Sequence, residues 1–230
     1  MNPDTISARE AQETADPIGA PNQNLAVALE WAKAGYPVFP ASPDKRPLVS
    51  DWQAQATTDE ARIRHWWRRH PEAMPALPMG HRTGLAVLDV DRKNGKDGLA
   101  ALRKLGHDPA ALSSVTVATP TGGLHAYFRW PEGMGNSAAG LPSGVDVRGN
   151  GGYVIAPGAV GPRGQYRATG DDLVVLRLIG PEFAPEWPEA LRPAIRQADD
   201  GPAAKPGKIG MTTLRSALMA IPNDGSLPEH

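Results

Sequence analysis

Two aspartates separated by one residue end an apolar run in the segment GLAVLDVD, residues 84–91. Residues two apart in an extended strand lie on the same face, so Asp89 and Asp91 are predicted to share one face while Leu88 and Val90 enter the core. Carboxylates held this close repel each other unless a cation lies between them. Such oxygen ligands suit Mg²⁺ or Mn²⁺. The pair alone leaves open a structural alternative, in which Asp91 begins a turn and backbone donors satisfy Asp89.

A glycine-rich turn leads into a second strand with polar residues on one face. Thr121, Gly122 and Gly123 allow the backbone to approach a ligand closely and offer N–H groups to an anion. His125 follows this turn, and its imidazole is predicted to hydrogen-bond a phosphate oxygen. A purely structural role for this histidine is the alternative.

A third strand, GVDVRG, carries Asp146 and Arg148 on one face. They add a further carboxylate and a guanidinium whose planar fork matches phosphate. The alternative is a cross-strand ion pair. Three acids, a histidine and an arginine around one cleft suit metal-assisted phosphoryl or nucleotidyl transfer.

The elements that position these residues follow from apolar spacing and turn residues. A helix is predicted from Asp97 to Leu105, and glycine-rich turns predict two hairpins, 115–119 with 124–130 and 145–148 with 153–156. Residues 174–178 are predicted as a last strand. One crossover helix with two hairpins indicates an α+β fold with a largely antiparallel sheet.

A basic helix is predicted to precede these strands. Thr57 and Glu60 have the spacing of a capping box, and the helix interior holds tryptophans that we expect in the core. Its basic residues form a cluster that either remains a solvated face or also contacts DNA phosphates: Arg62, Arg64, Arg68 and Arg69.

Composition excludes several classes of protein. The chain of 230 residues has no cysteine, which excludes disulfides, thiolate-bound zinc, iron–sulfur clusters and cysteine nucleophiles. No apolar run approaches the roughly 18 residues of a membrane span, so we expect a cytoplasmic protein without membrane contact. The net charge of −1 means that nucleic-acid binding must come from a local patch.

Changes in composition along the chain predict its organisation. Residues 1–23 are expected to be a disordered tail and residues 24–197 the catalytic domain. Residues 198–210 have the composition of a linker, and residues 211–230 are expected to begin a C-terminal helical domain that is truncated here.

The three polar segments also resemble a known family. LAVLDVD, TPTGGLHAYFRW and GVDVRGNGGYVIAPGA resemble, in order and spacing, the bifunctional primase/polymerase N-terminal (Prim-Pol) family of the archaeo-eukaryotic primase superfamily. The resemblance extends upstream through LAVALEWAKAGYPVFPASPDKRPL and covers residues 25–195. It implies an RNA-recognition-motif-like catalytic sheet joined to a smaller α/β unit.

The resemblance also implies an activity and its residues. Asp89, Asp91 and Asp146 would be catalytic and hold two Mg²⁺ or Mn²⁺ ions, one activating a 3′-hydroxyl and the other stabilising the leaving pyrophosphate. His125, the turn at residues 121–123 and Arg148 would hold the triphosphate of an incoming NTP or dNTP.

Partners follow from the same resemblance. The template would be single-stranded DNA, in the replicon of a phage, plasmid or integrated element. The tail TTLRSALMAIPND resembles the start of a helical primase domain that often precedes a helicase. The cysteine-bound zinc element of some relatives is impossible here.

Two alternatives from other classes remain open at this point. A metal-dependent nuclease could use the same acids and would cleave DNA while ignoring nucleotides. A catalytically silent module would bind nucleotide or DNA and incorporate none.

Overall fold

The computed structural model describes residues 22–137 and 141–191. The predicted linker and the predicted C-terminal helix lie outside these residues, as does the predicted tail apart from its last two residues, of which Gln23 begins the first helix. No helix in the described part of the chain has the length and apolar character needed to cross a membrane.

Six α-helices and ten strands are interspersed along the described residues. The helices are α1 Gln23–Lys33, α2 Trp52–Gln55, α3 Glu60–Arg69, α4 Gly98–Lys104, α5 Pro109–Leu112 and α6 Asp172–Ile179. The strands are β1 Phe39–Ala41, β2 Met74–Pro78, β3 Leu85–Val90, β4 Thr116–Ala118, β5 Leu124–Arg129, β6 Val145–Arg148, β7 Tyr153–Ile155, β8 Val160–Gly161, β9 Gly164–Gln165 and β10 Arg167–Ala168.

These strands form two sheets and a short ribbon. The larger sheet has five strands in the order β10-β4-β5-β3-β6, the smaller has three in the order β1-β2-β7, and β8 pairs with β9. Every pair of these strands is antiparallel. The structure therefore confirms a mixture of helices with antiparallel sheets.

Side chains alternate between the two faces of the larger sheet, as the strand period requires. On one face, Leu88, Val90 and Phe128 pack in a cluster that includes α4. On the other face, Val87 and Tyr127 pack against the smaller sheet and its helices. The two sheets share this second cluster, and the polar side chains of β3, β5 and β6 lie where it ends.

Only one of the two predicted hairpins forms. β4 and β5 pair across residues 119–123, as predicted. The prediction of the second hairpin is wrong, because β6 pairs with β3 whereas β7 pairs with β2 of the smaller sheet. Their glycine-rich connection packs against neighbouring backbone: a Cβ on Gly149 would lie 2.5 Å from the Met134 carbonyl oxygen. It thus carries the chain from one sheet to the other.

Residues 174–178, predicted as a last strand, lie instead in helix α6. Leu173 and Leu176 are its buried residues, three apart as a helix face requires. Arg177 forms an ion pair with Glu30 of α1, with 3.0 Å between Nη2 and Oε2. Burial of Leu173 and Leu176 in the core that the two sheets share therefore overrides the strand preference of the consecutive valines.

The basic helix α3 forms, but the predicted capping box does not. Asp59 is the N-cap, and its carboxylate accepts a hydrogen bond from the Arg62 backbone N–H at 2.7 Å. The Thr57 hydroxyl instead accepts from the Asp59 backbone N–H at 3.1 Å. The tryptophans of the helix are buried, as expected.

Candidate functional site

The central strand β3 places Asp89 between two polar neighbours. In the antiparallel register, Asp89 lies opposite His125 on β5 and opposite Asp146 on β6. Residues directly opposite each other on neighbouring strands present their side chains on the same face. Asp91 follows the end of β3, where its backbone N–H donates to the Gly144 carbonyl at 2.7 Å.

The three acids converge, as the sequence predicts. One carboxylate oxygen from each of Asp89, Asp91 and Asp146 lies within 4.8 Å of the others. Within residues 22–137 and 141–191, no other group of three or more His, Asp or Glu side chains is arranged in this way. Oxygen donors from partly buried carboxylates match hard divalent cations, so the residues present fit Mg²⁺ or Mn²⁺.

Arg148 lies between two of these acids. Its Nε and Nη2 donate to Oδ2 of Asp89 at 3.1 and 3.0 Å, and Nη2 also donates to Oδ2 of Asp146 at 3.0 Å. Burial raises the pKa of Asp89, but a protonated His125 and Arg148 lower it, and the lowering prevails. Asp89 is therefore ionised at neutral pH, with Arg148 as its counter-charge.

His125 is buried beside the acids. Its Nε2 lies 3.5 Å from Oδ1 of Asp89, and its ring centroid is 5.8 Å from that of Tyr166. Burial lowers the pKa of His125, and Asp89 only partly offsets this, so the imidazole is neutral at pH 7. Its Nδ1 is buried and has no hydrogen-bond partner among the described residues.

The turn at residues 119–123 borders the same cleft. The sequence predicts that the N–H groups of Gly122 and Gly123 face a ligand, and the structure differs. The carbonyl and the hydroxyl of Thr119 accept hydrogen bonds from these two groups, at 3.0 and 3.1 Å respectively. The cleft is instead lined here by Thr119 and Thr121. A Cβ on Gly123 would lie 2.3 Å from the Val90 carbonyl oxygen, so glycine is needed for the turn to contact β3.

The cleft between the two sheets has a volume of about 230 Å³. Several residues that form its wall are not predicted from the sequence. Lys93 forms an ion pair with Asp91 at 2.9 Å. Lys45, Tyr153 and Tyr166 also line the cleft, from segments far apart in the sequence. The one local signal is the turn sequence SPDKRP around Lys45, a residue that has a positive φ of 66°.

The structure does not bring the basic cluster of α3 to this cleft. Arg62, Arg64, Arg68 and Arg69 are exposed, on a helix that packs against α1 and β1. Arg62 donates to the Gln55 side chain at 3.1 Å, and Arg64 pairs with Glu60. Arg68 and Arg69 form no ion pair among the described residues.

The fold and site define a mixed α/β protein whose cleft carries an acidic triad able to hold a metal ion. The family model for the N-terminal domain of bifunctional DNA primase/polymerases, Prim-Pol, matches residues 28–187. The chain therefore belongs to the Prim-Pol family, which confirms the resemblance. Membership indicates primase/polymerase activity in general, with DNA and nucleotides as substrates. Among curated proteins, none matches the chain.

Proposed function

We propose that this chain is a DNA-dependent nucleotidyltransferase that synthesises or extends primers on single-stranded DNA. The observation that carries the proposal is the convergence of Asp89, Asp91 and Asp146 in a cleft that also holds basic side chains. Carboxylates and cations in one cleft suit a reaction in which a metal and a polyphosphate must meet. Family membership supports this assignment over the nuclease and the silent module.

The three aspartates are the proposed ligands of two Mg²⁺ or Mn²⁺ ions. When bound, such ions supply Lewis-acid activation of an attacking hydroxyl and neutralise charge on leaving pyrophosphate. The strands keep the carboxylates converged before any ligand arrives, because Asp89 and Asp146 are fixed by β3–β6 pairing. Ionised Asp89 is ready to bind a cation without first losing a proton.

The nucleotide is assigned to the residues that lie beside the three acids. The proposed triphosphate contacts are His125, Arg148 and the turn at residues 121–123, which would act through the Thr121 side chain because Thr119 accepts the N–H groups of Gly122 and Gly123. A neutral imidazole donates one N–H, and a guanidinium donates several in a plane. Arg148 lies within hydrogen-bond distance of two aspartates, so it can neutralise them or bind phosphate without a large movement.

Finer features of the proposal come from the family. The larger sheet corresponds to the RNA-recognition-motif-like catalytic sheet of archaeo-eukaryotic primases, and the smaller sheet to the adjoining α/β unit. Residues 24–197 are the proposed catalytic domain, followed by a linker and the start of a helical domain. The setting is the replicon of a phage, plasmid or integrated element, with a helicase as partner.

Primer extension with Asp89→Asn tests the proposal. The variant keeps the shape of the side chain but removes one charge, and we expect synthesis to fall by at least about 100-fold, because several kcal/mol of transition-state stabilisation are lost. Asp171→Asn is the matched control, since Asp171 is exposed and its side chain makes no capping hydrogen bond.

The assay combines primed single-stranded DNA, Mn²⁺ and labelled dNTPs, with circular dichroism to verify folding. Full activity in a folded Asp89→Asn variant contradicts the assignment of the triad. Cleavage of the DNA by the wild type without incorporation indicates a nuclease. Nucleotide binding without either reaction indicates a silent module.

A further inference from the structure

Three cationic side chains line the cleft, and two of them have carboxylate partners among the described residues. Arg148 is paired with Asp89 and Asp146, and Lys93 is paired with Asp91. Among the described residues, Lys45 forms no ion pair although it lines the same cleft. Because no described carboxylate forms an ion pair with Lys45, the N–H groups of its ammonium are available to a ligand.

The backbone of Lys45 is held in place from several sides. Its N–H donates to the Ser42 carbonyl at 2.7 Å, and its own carbonyl accepts from the Tyr153 hydroxyl at 2.6 Å. Its φ of 66° is unusual for a lysine and is maintained by these contacts. The ammonium lies 5.5 Å from the centroid of the Tyr166 ring, which keeps it at the cleft wall.

A second unpaired cation lies beside Lys45. Arg163 is in the turn between β8 and β9, is exposed, and forms no ion pair among the described residues. A small recess next to the main cleft is lined by both cations together with Thr121 and Tyr166. Lys45, Thr121 and Tyr166 also line the main cleft, so the recess continues from it.

The electrostatics of this recess favour an anion. Burial and the charge of Lys93 lower the pKa of Lys45, Asp89 and Asp91 partly offset this, and Arg163 adds a smaller lowering. Burial also raises the pKa of Tyr166 to about 12, so its hydroxyl stays protonated and remains a donor at neutral pH. An anion placed here would relieve the repulsion between the cations and would accept hydrogen bonds from the Lys45 ammonium and the Tyr166 hydroxyl.

We propose that Lys45 and Arg163, together with Tyr166 and Thr121 of the same recess, form a phosphate-binding subsite separate from the acidic triad. The phosphate belongs either to the polyphosphate of a nucleotide or to the backbone of a DNA strand. In naming these two sources the inference rests on the proposed function. The subsite itself rests on the two unpaired cations and the recess that they line.

Binding of inorganic tripolyphosphate in EDTA, followed by ³¹P NMR titration, tests the subsite without metal or synthesis. Lys45→Gln and Arg163→Gln should each weaken binding by about 10-fold, the lower end expected for a charge-assisted hydrogen bond. Lys104→Gln is the matched control, because Lys104 is an exposed lysine of α4 outside the cleft. Arg163 is on an exposed turn, so its variant is expected to fold even if Lys45→Gln does not.

Equal tripolyphosphate affinity in Arg163→Gln and Lys104→Gln overturns the subsite, as does a wild type that does not bind tripolyphosphate. Titration with dTTP and with a dT oligonucleotide then identifies the source of the phosphate. If the Lys45→Gln and Arg163→Gln variants bind dTTP more weakly than the wild type does but bind the oligonucleotide equally well, the subsite belongs to the nucleotide. The reverse result assigns the subsite to the DNA strand. A chain that incorporates no nucleotide but shows charge-dependent tripolyphosphate binding overturns the proposed function and supports the subsite.

Discussion

Asp89 lies where the buried face of β3 opens into the cleft. Two residues earlier on the same face, Val87 is fully buried, whereas the Asp89 side chain is 15% exposed. A carboxylate at this depth needs a charged partner, and Arg148 provides it, while the neutral imidazole of His125 lies beside it. The ionisation of the site is therefore set by three residues from three adjacent strands.

The protonation of His125 predicts how stability depends on pH. Because burial lowers its pKa in the folded protein, the unfolded chain takes up this proton first as the pH falls. We expect the unfolding free energy of the metal-free protein to decrease below about pH 6.5, by at most about 1.4 kcal/mol per pH unit for one proton. Urea denaturation in EDTA between pH 5 and 8 measures this slope.

His125→Gln provides the comparison, because it removes the titrating group and retains polar atoms. The variant should lose the part of the slope that one proton contributes. An unchanged slope would show that other groups account for the dependence on pH.

The sequence predicts those site residues that a short-range pattern connects. Asp89 and Asp91 are two apart on one strand, and alternation alone places them together. Lys45, Tyr166 and Arg163 reach the cleft only through pairing of distant segments, so no local spacing indicates them. The local sequence pattern also does not predict which strands pair with β3.

At the scale of elements, the turn between β4 and β5 is fitted against β3. Gly123 lies so close to β3 that no side chain has room in place of its Cα hydrogen. The turn that borders the cleft is thus positioned by the same strand that carries Asp89.

Gly123→Ala should push this turn away from β3. The added Cβ would lie 2.3 Å from the Val90 carbonyl oxygen, which is backbone and cannot rotate away. We expect the unfolding free energy to fall by about 1–3 kcal/mol, as in other overpacked sites, and nucleotide incorporation to fall with it. Gly170→Ala is the control, since a Cβ there meets nothing within 4 Å. Equal urea midpoints for the two variants would contradict the close fit.

Strand β2 shows why some elements escape prediction. Its sequence, MPALP, contains two prolines, and proline normally indicates an edge strand or no strand. Yet β2 is the central strand of the smaller sheet and is fully buried. Pro75 still accepts a hydrogen bond from the Ala156 N–H at 2.8 Å, so its carbonyl contributes to pairing although it has no N–H. Tertiary burial, which no local pattern reports, decides this element.

At the scale of the whole molecule, charge is nearly balanced but unevenly distributed. The net charge is −1, while the exposed face of α3 carries a basic cluster away from the cleft. Of that cluster, Arg68 and Arg69 form no ion pair among the described residues and are the best candidates to contact DNA phosphates outside the cleft.

The double variant Arg68→Gln, Arg69→Gln tests this role. If both arginines contact phosphates, affinity for single-stranded DNA should fall regardless of sequence, and the slope of log K against log salt should shrink by about 1.4. Fluorescence anisotropy at several salt concentrations measures both quantities. Arg103→Gln with Lys104→Gln removes two exposed charges from α4 and should leave the slope unchanged. An unchanged slope in the α3 variant would leave that helix as a solvated face.

The two sheets are interleaved along the chain, and this affects how the protein is made. β1 and β2 leave the ribosome early, but the third strand of their sheet, β7, is synthesised only after four strands of the larger sheet. The larger sheet in turn lacks its edge strand β10 until after β7. The smaller sheet therefore stays incomplete until four strands of the larger sheet have been made, and the larger sheet is completed last, so the nascent chain exposes apolar strands until nearly the whole domain has emerged. Codon usage that slows translation between β2 and β7 would prolong that exposure and favour aggregation.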